Sequence, residues 1–215
     1  GQIIHNRAYG FRDVENRDPF EPDDILRIYS MTKPIVSLGI LMLAEEGKLN
    51  LSDPVAKFIP EFAKIKVLEG KQKVAPRRPP TIRDLLTHTA GLTYGFFSDT
   101  EVDRAYKRNH PLFSSNNQQM IDKLTTHPLI AHPGERWHYS VATDVLGHLI
   151  ERVSGSSLGD FLKTRIFLPL GMKDTAFFIE AKKLSRFASS YTKGVVLRER
   201  YNKSPYQSPR RIQSG

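Results

Sequence analysis

Cysteine is absent from the 215 residues, which removes disulfide frameworks, thiolate metal sites and cysteine nucleophiles together. Covalent chemistry, if the chain has any, must come from serine, lysine, tyrosine, histidine or carboxylates. Long hydrophobic runs are also lacking: the longest apolar stretch, residues 34–44, is about half of what a bilayer-spanning helix needs. It reads as a buried core helix, and no membrane span is expected. There is no internal repeat and no low-complexity tract. No charged-then-apolar leader opens the chain and Gly1 is not an initiator methionine, so the N-terminus reads as incomplete and the compartment stays open, the cytoplasm being slightly favoured. Acidic residues are scarce at the other end. Residues 182–215 hold Lys182, Lys183, Arg186, Lys193, Arg198, Arg200, Lys203, Arg210 and Arg211 against Glu199 alone, a local charge of +8 out of the chain's +9. The first 181 residues are therefore close to neutral, and no aromatic-interleaved basic motif accompanies the tail, so nucleic acid is not expected as a partner.

What remains is enough for a folded protein: 39% of the residues are apolar, and the length suits one good-sized core or a two-part domain. The N-terminal residues 1–14 carry β-branched and aromatic side chains around Gly10, as in two short strands or one bent strand. A helix is predicted over residues 30–46, with Ser30 at the cap, an apolar body and Gly47 as the stop. Pro34 fits only near the first turn, where a missing N–H costs little. Residues 58–80 read as a connecting loop. A second helix start is Thr81-Ile82-Arg83-Asp84, closing near Gly91. Residues 95–135, broken by Pro111, Pro128 and Pro133, suggest short helices forming a lid or wall. Val141, Val145, Leu146, Leu149, Ile150 and Val153 follow helical spacing, with Ser140 as cap and Gly155 as terminator. An amphipathic stretch covers residues 158–167, and residues 175–179 and 189–198 are strand-like.

A serine hydroxyl needs a base within hydrogen-bond reach before it attacks anything at neutral pH. Residues i and i+3 share a helix face, so Ser30 and Lys33 meet that need at a helix head, where partial desolvation disfavours the charged ammonium and makes it a better base. The helix N-terminus also offers free N–H groups, and the Ser30 amide is a natural half of an oxyanion hole. The spacing alone is weak evidence. With 16 serines and 15 lysines in 215 residues, about one Ser-x-x-Lys arises by chance, and the chain has two. The second, Ser190 to Lys193, lies in a strand-like segment where i and i+3 point to opposite faces. His88, His132 and His138 match no metal-ligand spacing, no metal or organic cofactor is implied, and the acids form no paired constellation. His88 reads as a structural hydrogen-bonding residue and Trp137 as a packing anchor.

The context of Ser30-Met31-Thr32-Lys33-Pro34 is more specific. With Ala44-Glu45-Glu46-Gly47-Lys48-Leu49, then Leu85-Leu86-Thr87-His88-Thr89-Ala90-Gly91-Leu92, Tyr139-Ser140 leading into Asp144-Val145-Leu146-Gly147, and Pro169-Leu170-Gly171-Met172, the chain resembles the serine β-lactamase-like superfamily. The class C-like branch, with family VIII carboxylesterases and related acyltransferases, is the nearest in pattern. That resemblance implies an α/β part, an antiparallel sheet flanked by helices, and an all-α part, with the site in the cleft between them. Residues 1–29 and about 156–215 would form the α/β part, and about 30–155 the nucleophile helix and the mostly helical part. It implies Ser30 as nucleophile, Lys33 as its activator and Tyr139 as a proton carrier, acting on a small-molecule ester or amide through an acyl-enzyme. The family's second motif is Tyr-x-Asn. Here Tyr139-Ser140-Val141 keeps the tyrosine and replaces the asparagine, so Val141 at the substrate-binding position points to carboxylic esters over lactams and D-alanyl peptides, since a valine neither donates nor accepts. A third motif, Lys/His-Thr/Ser-Gly or Trp-x-Gly, is not found; Lys193-Gly194 comes too early. The family domain is longer at both ends, which implies an incomplete domain, and a non-catalytic or truncated relative is the remaining alternative.

Overall fold

The computed structural model describes residues 1–193, 196–200 and 203, and its backbone contacts divide the chain into two units. One gathers residues 1–29 with the described residues from Lys173 onward; the other begins at Ser30 and runs to Met172.

In the first unit, β1 (Phe11–Asp13) pairs antiparallel with β2 (Asp18–Pro19). Of the two short strands or one bent strand expected within residues 1–14, only the three-residue β1 forms, and its partner lies downstream of a turn. Residues 175–179 form no ladder; Ile179 instead joins Ile25, Phe187 and the half-buried Leu184 in a small apolar core. Part of the basic tail is neutralised within this unit. Lys183 and Arg186 both reach Asp174, at 3.0 and 2.6 Å, and Lys182 reaches Glu180 at 2.8 Å. Gly194, Arg210 and Arg211 lie outside the described residues.

The second unit opens at Ser30, within a single 3-10 turn, Tyr29–Met31, that runs into α1 (Thr32–Glu45). The regular helix therefore starts two residues after Ser30, whose side chain does not cap it. Pro34 falls in the first turn, as its lost N–H requires. The buried face of α1 is Val36, Gly39, Ile40 and Leu43. Gly39 permits close helix packing: a Cβ there would stand 3.0 Å from Ile150 Cδ1 and 3.2 Å from Phe161.

Residues 58–80 are more than a connection. They hold a 3-10 helix, Pro60–Lys64, and a hairpin of β3 (Val67–Glu69) and β4 (Gln72–Val74) that turns through Gly70 at φ +57°. Only Val67 of this hairpin is buried, so it carries almost no apolar alternation, and main-chain bonds between residues 66–68 and Leu129 tie its edge to the rest of the unit.

Next comes α2 (Ile82–Leu86), started by a reciprocal box in which Thr81 Oγ1 accepts from the Asp84 N–H and the Asp84 carboxylate accepts from the Thr81 N–H. It closes earlier than Gly91, on His88 at φ +55°. The same device, Thr100 with Asp103, starts α3 (Glu101–Arg108), and Asn116 caps α4 (Asn117–Thr126). The most buried helix is α5 (Ala142–Ser154), sealed from Ala142 to Ile150 and ended by Gly155 at φ +71°. Val141, not Ser140, holds its cap position, although Ser140 Oγ accepts from the Ala142 N–H at 3.3 Å. Finally α6 (Leu158–Leu162), continued by a wider turn over Lys163–Phe167, packs on α1 and α5. By its backbone contacts the unit extends to Met172. Strands β5 (Ser190–Thr192) and β6 (Val196–Glu199) pair antiparallel in the first unit. Ser190 thus lies on a strand and Lys193 in the following turn, so this second Ser-x-x-Lys lacks the shared helix face.

Candidate active site

The turn before α1 presents Ser30 at the surface, and Tyr29 immediately before it holds φ +42°. A non-glycine residue in that region is strained and persists only where the surroundings impose it. Across from the turn, the segment preceding α5 brings in Tyr139, whose O–H donates to Ser30 Oγ at 2.8 Å. Lys33, one turn along from Ser30, is half-buried, with Nζ 5.1 Å from the centre of the Tyr139 ring and 5.6 Å from that of Tyr94. The ammonium lies within cation–π range of both rings. Three residues separated by up to 109 positions in the chain thus meet in one place.

Main-chain ties fix the segment that carries Tyr139. Ile130 N–H donates to Gly91 O, Gly134 N–H to Thr89 O and His138 N–H to His88 O, each at 2.8 Å. These bonds lace residues 130–138 to the turn after α2. Gly91, at φ +80°, permits this approach, since a Cβ there would stand 2.2 Å from Ala131 O. Asp84 anchors the same turn from below. It takes a two-pronged contact from Arg78, at 2.6 and 2.8 Å, and a bond from Thr89 Oγ1 at 3.2 Å.

The three histidines do separate jobs. His132 contacts Glu69 at 2.6 Å and accepts from the Arg77 N–H, and His138 contacts Thr93 Oγ1 at 3.2 Å. His88 contacts Ser140 Oγ at 3.3 Å and lies against the Tyr139 ring, 5.0 Å between centres. Among the described residues no group of three or more histidines and acids gathers where a metal could bind. Val141 is 1% exposed, so its side chain is not among the groups facing outward here. Trp137 is no packing anchor: it is 66% exposed and lies roughly parallel to Tyr139 at 6.4 Å. Sequence reasoning passes over Tyr94, Phe96 and Phe97, which complete an aromatic surround of Tyr139; the signal was the cluster Tyr94-Gly95-Phe96-Phe97 itself. Burial, then the Asp144 carboxylate and Tyr139, push the Tyr94 phenol up, leaving it a neutral group at ordinary pH.

Burial, then the charge of Lys33 and the neighbouring His138, hold the His88 imidazole down to about 4 from its ordinary 6.5. Between those values the unfolded chain binds the proton and the folded one does not. The contribution of His88 to stability accordingly falls as pH drops from about 6.5 and is constant below about 4. Asparagine tolerates the left-handed backbone of residue 88, so His88→Asn should flatten the melting-temperature curve across this window relative to wild type. An identical slope in the two proteins would show that His88 is not held neutral in the fold.

The beta-lactamase family model matches residues 1–207. The chain belongs to that family. It is 35% identical over 197 residues to the esterase EstB of Burkholderia gladioli, covering 90% of this chain and 48% of that protein. To the lovastatin esterase of Penicillium rubens it is 32% identical, covering 83% of this chain and 46% of that protein. Among solved structures, EstCE1, described as a hydrolase with promiscuous acyltransferase activity, superposes with a TM-score of 0.79 at 31% identity, over 93% of this chain and 51% of that one. The chain therefore has the β-lactamase/transpeptidase-like fold, and it spans about half the length of the curated relatives it matches. Among the described residues no helix is long and apolar enough to cross a membrane.

Proposed function

We propose that this chain carries the nucleophile of a serine hydrolase that cleaves carboxylic esters through an acyl-enzyme. The observation that carries the reading is the 2.8 Å contact between Tyr139 O–H and Ser30 Oγ, with Lys33 Nζ beside the same ring. With Lys33 as the free amine, Ser30 Oγ attacks the ester carbonyl carbon while its proton passes through the Tyr139 hydroxyl to Nζ, which becomes the ammonium. The oxyanion is met by the Ser30 N–H at the head of the helix. As the tetrahedral species collapses, the carbon–oxygen bond to the alcohol breaks and that oxygen takes the proton. Water, or another hydroxyl, then attacks the acyl-Ser30 ester by the reverse proton route. Relatives named as esterases support esters as the substrate class. So does the sequence itself, in which the amide of the Tyr-x-Asn motif is replaced by Val141, a buried side chain that offers a substrate neither donor nor acceptor.

In the full-length protein a fluorophosphonate probe should label Ser30, and short-chain aryl esters should be turned over with a higher kcat/KM than a chromogenic cephalosporin. Labelling at Ser190 would overturn the nucleophile. A cephalosporin kcat/KM above that for the esters would replace ester hydrolysis with lactam hydrolysis.

A further inference from the structure

Beside the proposed nucleophile lies an aromatic surface that the scheme above does not use. The rings of Phe96 and Phe97 are 4.6 Å apart between centres, Tyr94 is 5.2 Å from Phe96, and Tyr139 is 5.3 Å from Tyr94 and 5.7 Å from Phe97. Phe96 and Phe97 are nevertheless 60% and 58% exposed. Single exposed apolar residues are ordinary, but a contiguous aromatic patch has a use.

The patch is held in place. Asp103, fully buried, accepts hydrogen bonds from Thr93 Oγ1 at 2.6 Å on one side of the loop, and on the other from Ser98 Oγ at 2.5 Å, Thr100 Oγ1 at 2.7 Å and the Thr100 N–H at 2.9 Å. One carboxylate therefore closes the loop at both ends. Within the loop, Gly95 at φ +83° donates its N–H to Thr93 Oγ1 at 3.1 Å. Its backbone lies so close to α3 that a Cβ would meet that of Tyr106 at 2.6 Å. The main-chain carbonyl of Tyr94 is met by His110 Nε2 at 3.0 Å. Two phenylalanines are thus kept facing solvent by a buried polar anchor, an arrangement that costs free energy unless something flat and apolar covers them.

Proton transfer fixes which part of a substrate does so. The alkoxide leaving the tetrahedral species must come within hydrogen-bond reach of Lys33 or Tyr139, and the rings of Tyr94 and Phe97 flank Tyr139. We propose, building on the ester-hydrolase reading, that Phe96 and Phe97, backed by the buried Tyr94, form a preset wall for the alcohol part of the ester, selecting alcohols with a flat or ring-shaped apolar group, and that Asp103 is the positioning residue of that wall.

Benzyl acetate and ethyl acetate share an acyl group and have leaving alcohols of similar acidity, so their kcat/KM ratio, measured by pH-stat on the full-length protein, isolates the alcohol side. The wild type should favour benzyl acetate. Phe96→Ala and Phe97→Ala should each lower the benzyl-to-ethyl ratio about three- to tenfold, the range of one lost aromatic contact, while Phe97→Leu, which keeps apolar bulk, recovers part of it. Asp103→Asn should lower the ratio as well. Because that change also endangers folding, Ser98→Ala, which removes a single anchor, serves beside it and should act through KM for benzyl acetate. Both esters hydrolysed without benzyl preference, or equal losses on both esters in the phenylalanine variants, would overturn the wall and leave ester hydrolysis standing. Hydrolysis of neither ester by the wild type would overturn both.

Discussion

Lys33→Ala should lower the rate of acyl-enzyme formation in the full-length protein about as far as Ser30→Ala does, on the order of 10⁴-fold or more. Ser30→Ala deletes the atom that forms the covalent bond, so nothing of that route survives. In the proposed scheme Lys33 never bonds to the substrate, yet as the free amine it takes the proton, and once protonated it puts a positive charge beside the Tyr139 ring as the oxyanion develops. Residues that act as one unit lose their effect together, and their separate losses do not add. The double variant should therefore be scarcely worse than either single one. Lys33 is half-buried, and methionine approximates its length without its charge. Lys33→Met should for that reason match Lys33→Ala in rate while melting closer to wild type. Burst kinetics with a fluorogenic ester measure the acylation step directly. A Lys33→Ala protein that acylates within tenfold of wild type would remove lysine from the proton path.

Tyr139→Phe is the second large effect, and it separates chemistry from packing. The variant keeps the ring and so retains the contacts with His88, Tyr94, Phe97 and Trp137. It loses only the hydroxyl that bonds Ser30 Oγ. General acid–base catalysis contributes about 10²- to 10⁴-fold, and turnover should drop within that range with the melting temperature nearly unchanged. Near-normal turnover would make Tyr139 a structural tyrosine. A large fall in melting temperature would instead show that the hydroxyl holds the turn before α1 to the segment before α5, and the rate loss would then not report on proton transfer.

Much of this site was legible in one dimension. Ser30 and Lys33 are three residues apart at a helix head, a local relation, and the Thr/Asp box at Thr81 is read from residue types four positions wide. Other features needed the third dimension. Ser30 resembles a cap in sequence because a serine ahead of an apolar run usually is one; here a 3-10 turn intervenes and its hydroxyl meets Tyr139 instead. Trp137 resembles core because tryptophan usually is, yet it stands 66% exposed beside Tyr139. The β3–β4 hairpin escaped because its bonds are main-chain and its side chains mostly polar, which leaves no periodic apolar signal.

The sequence by itself determined the main helices, the capped start at Thr81, the close spacing of Ser30 and Lys33 and, through its ordered motifs, the family. These depend on neighbours within one or two helical turns, where propensity and periodicity act directly. Only the tertiary structure decided that Tyr139 reaches Ser30, that Asp103 closes the aromatic loop at both ends, and that Gly91 and Gly95 sit where backbone must pass within van der Waals contact of another segment. Such relations join residues far apart in the chain, and close packing sets them through contacts that no local pattern encodes.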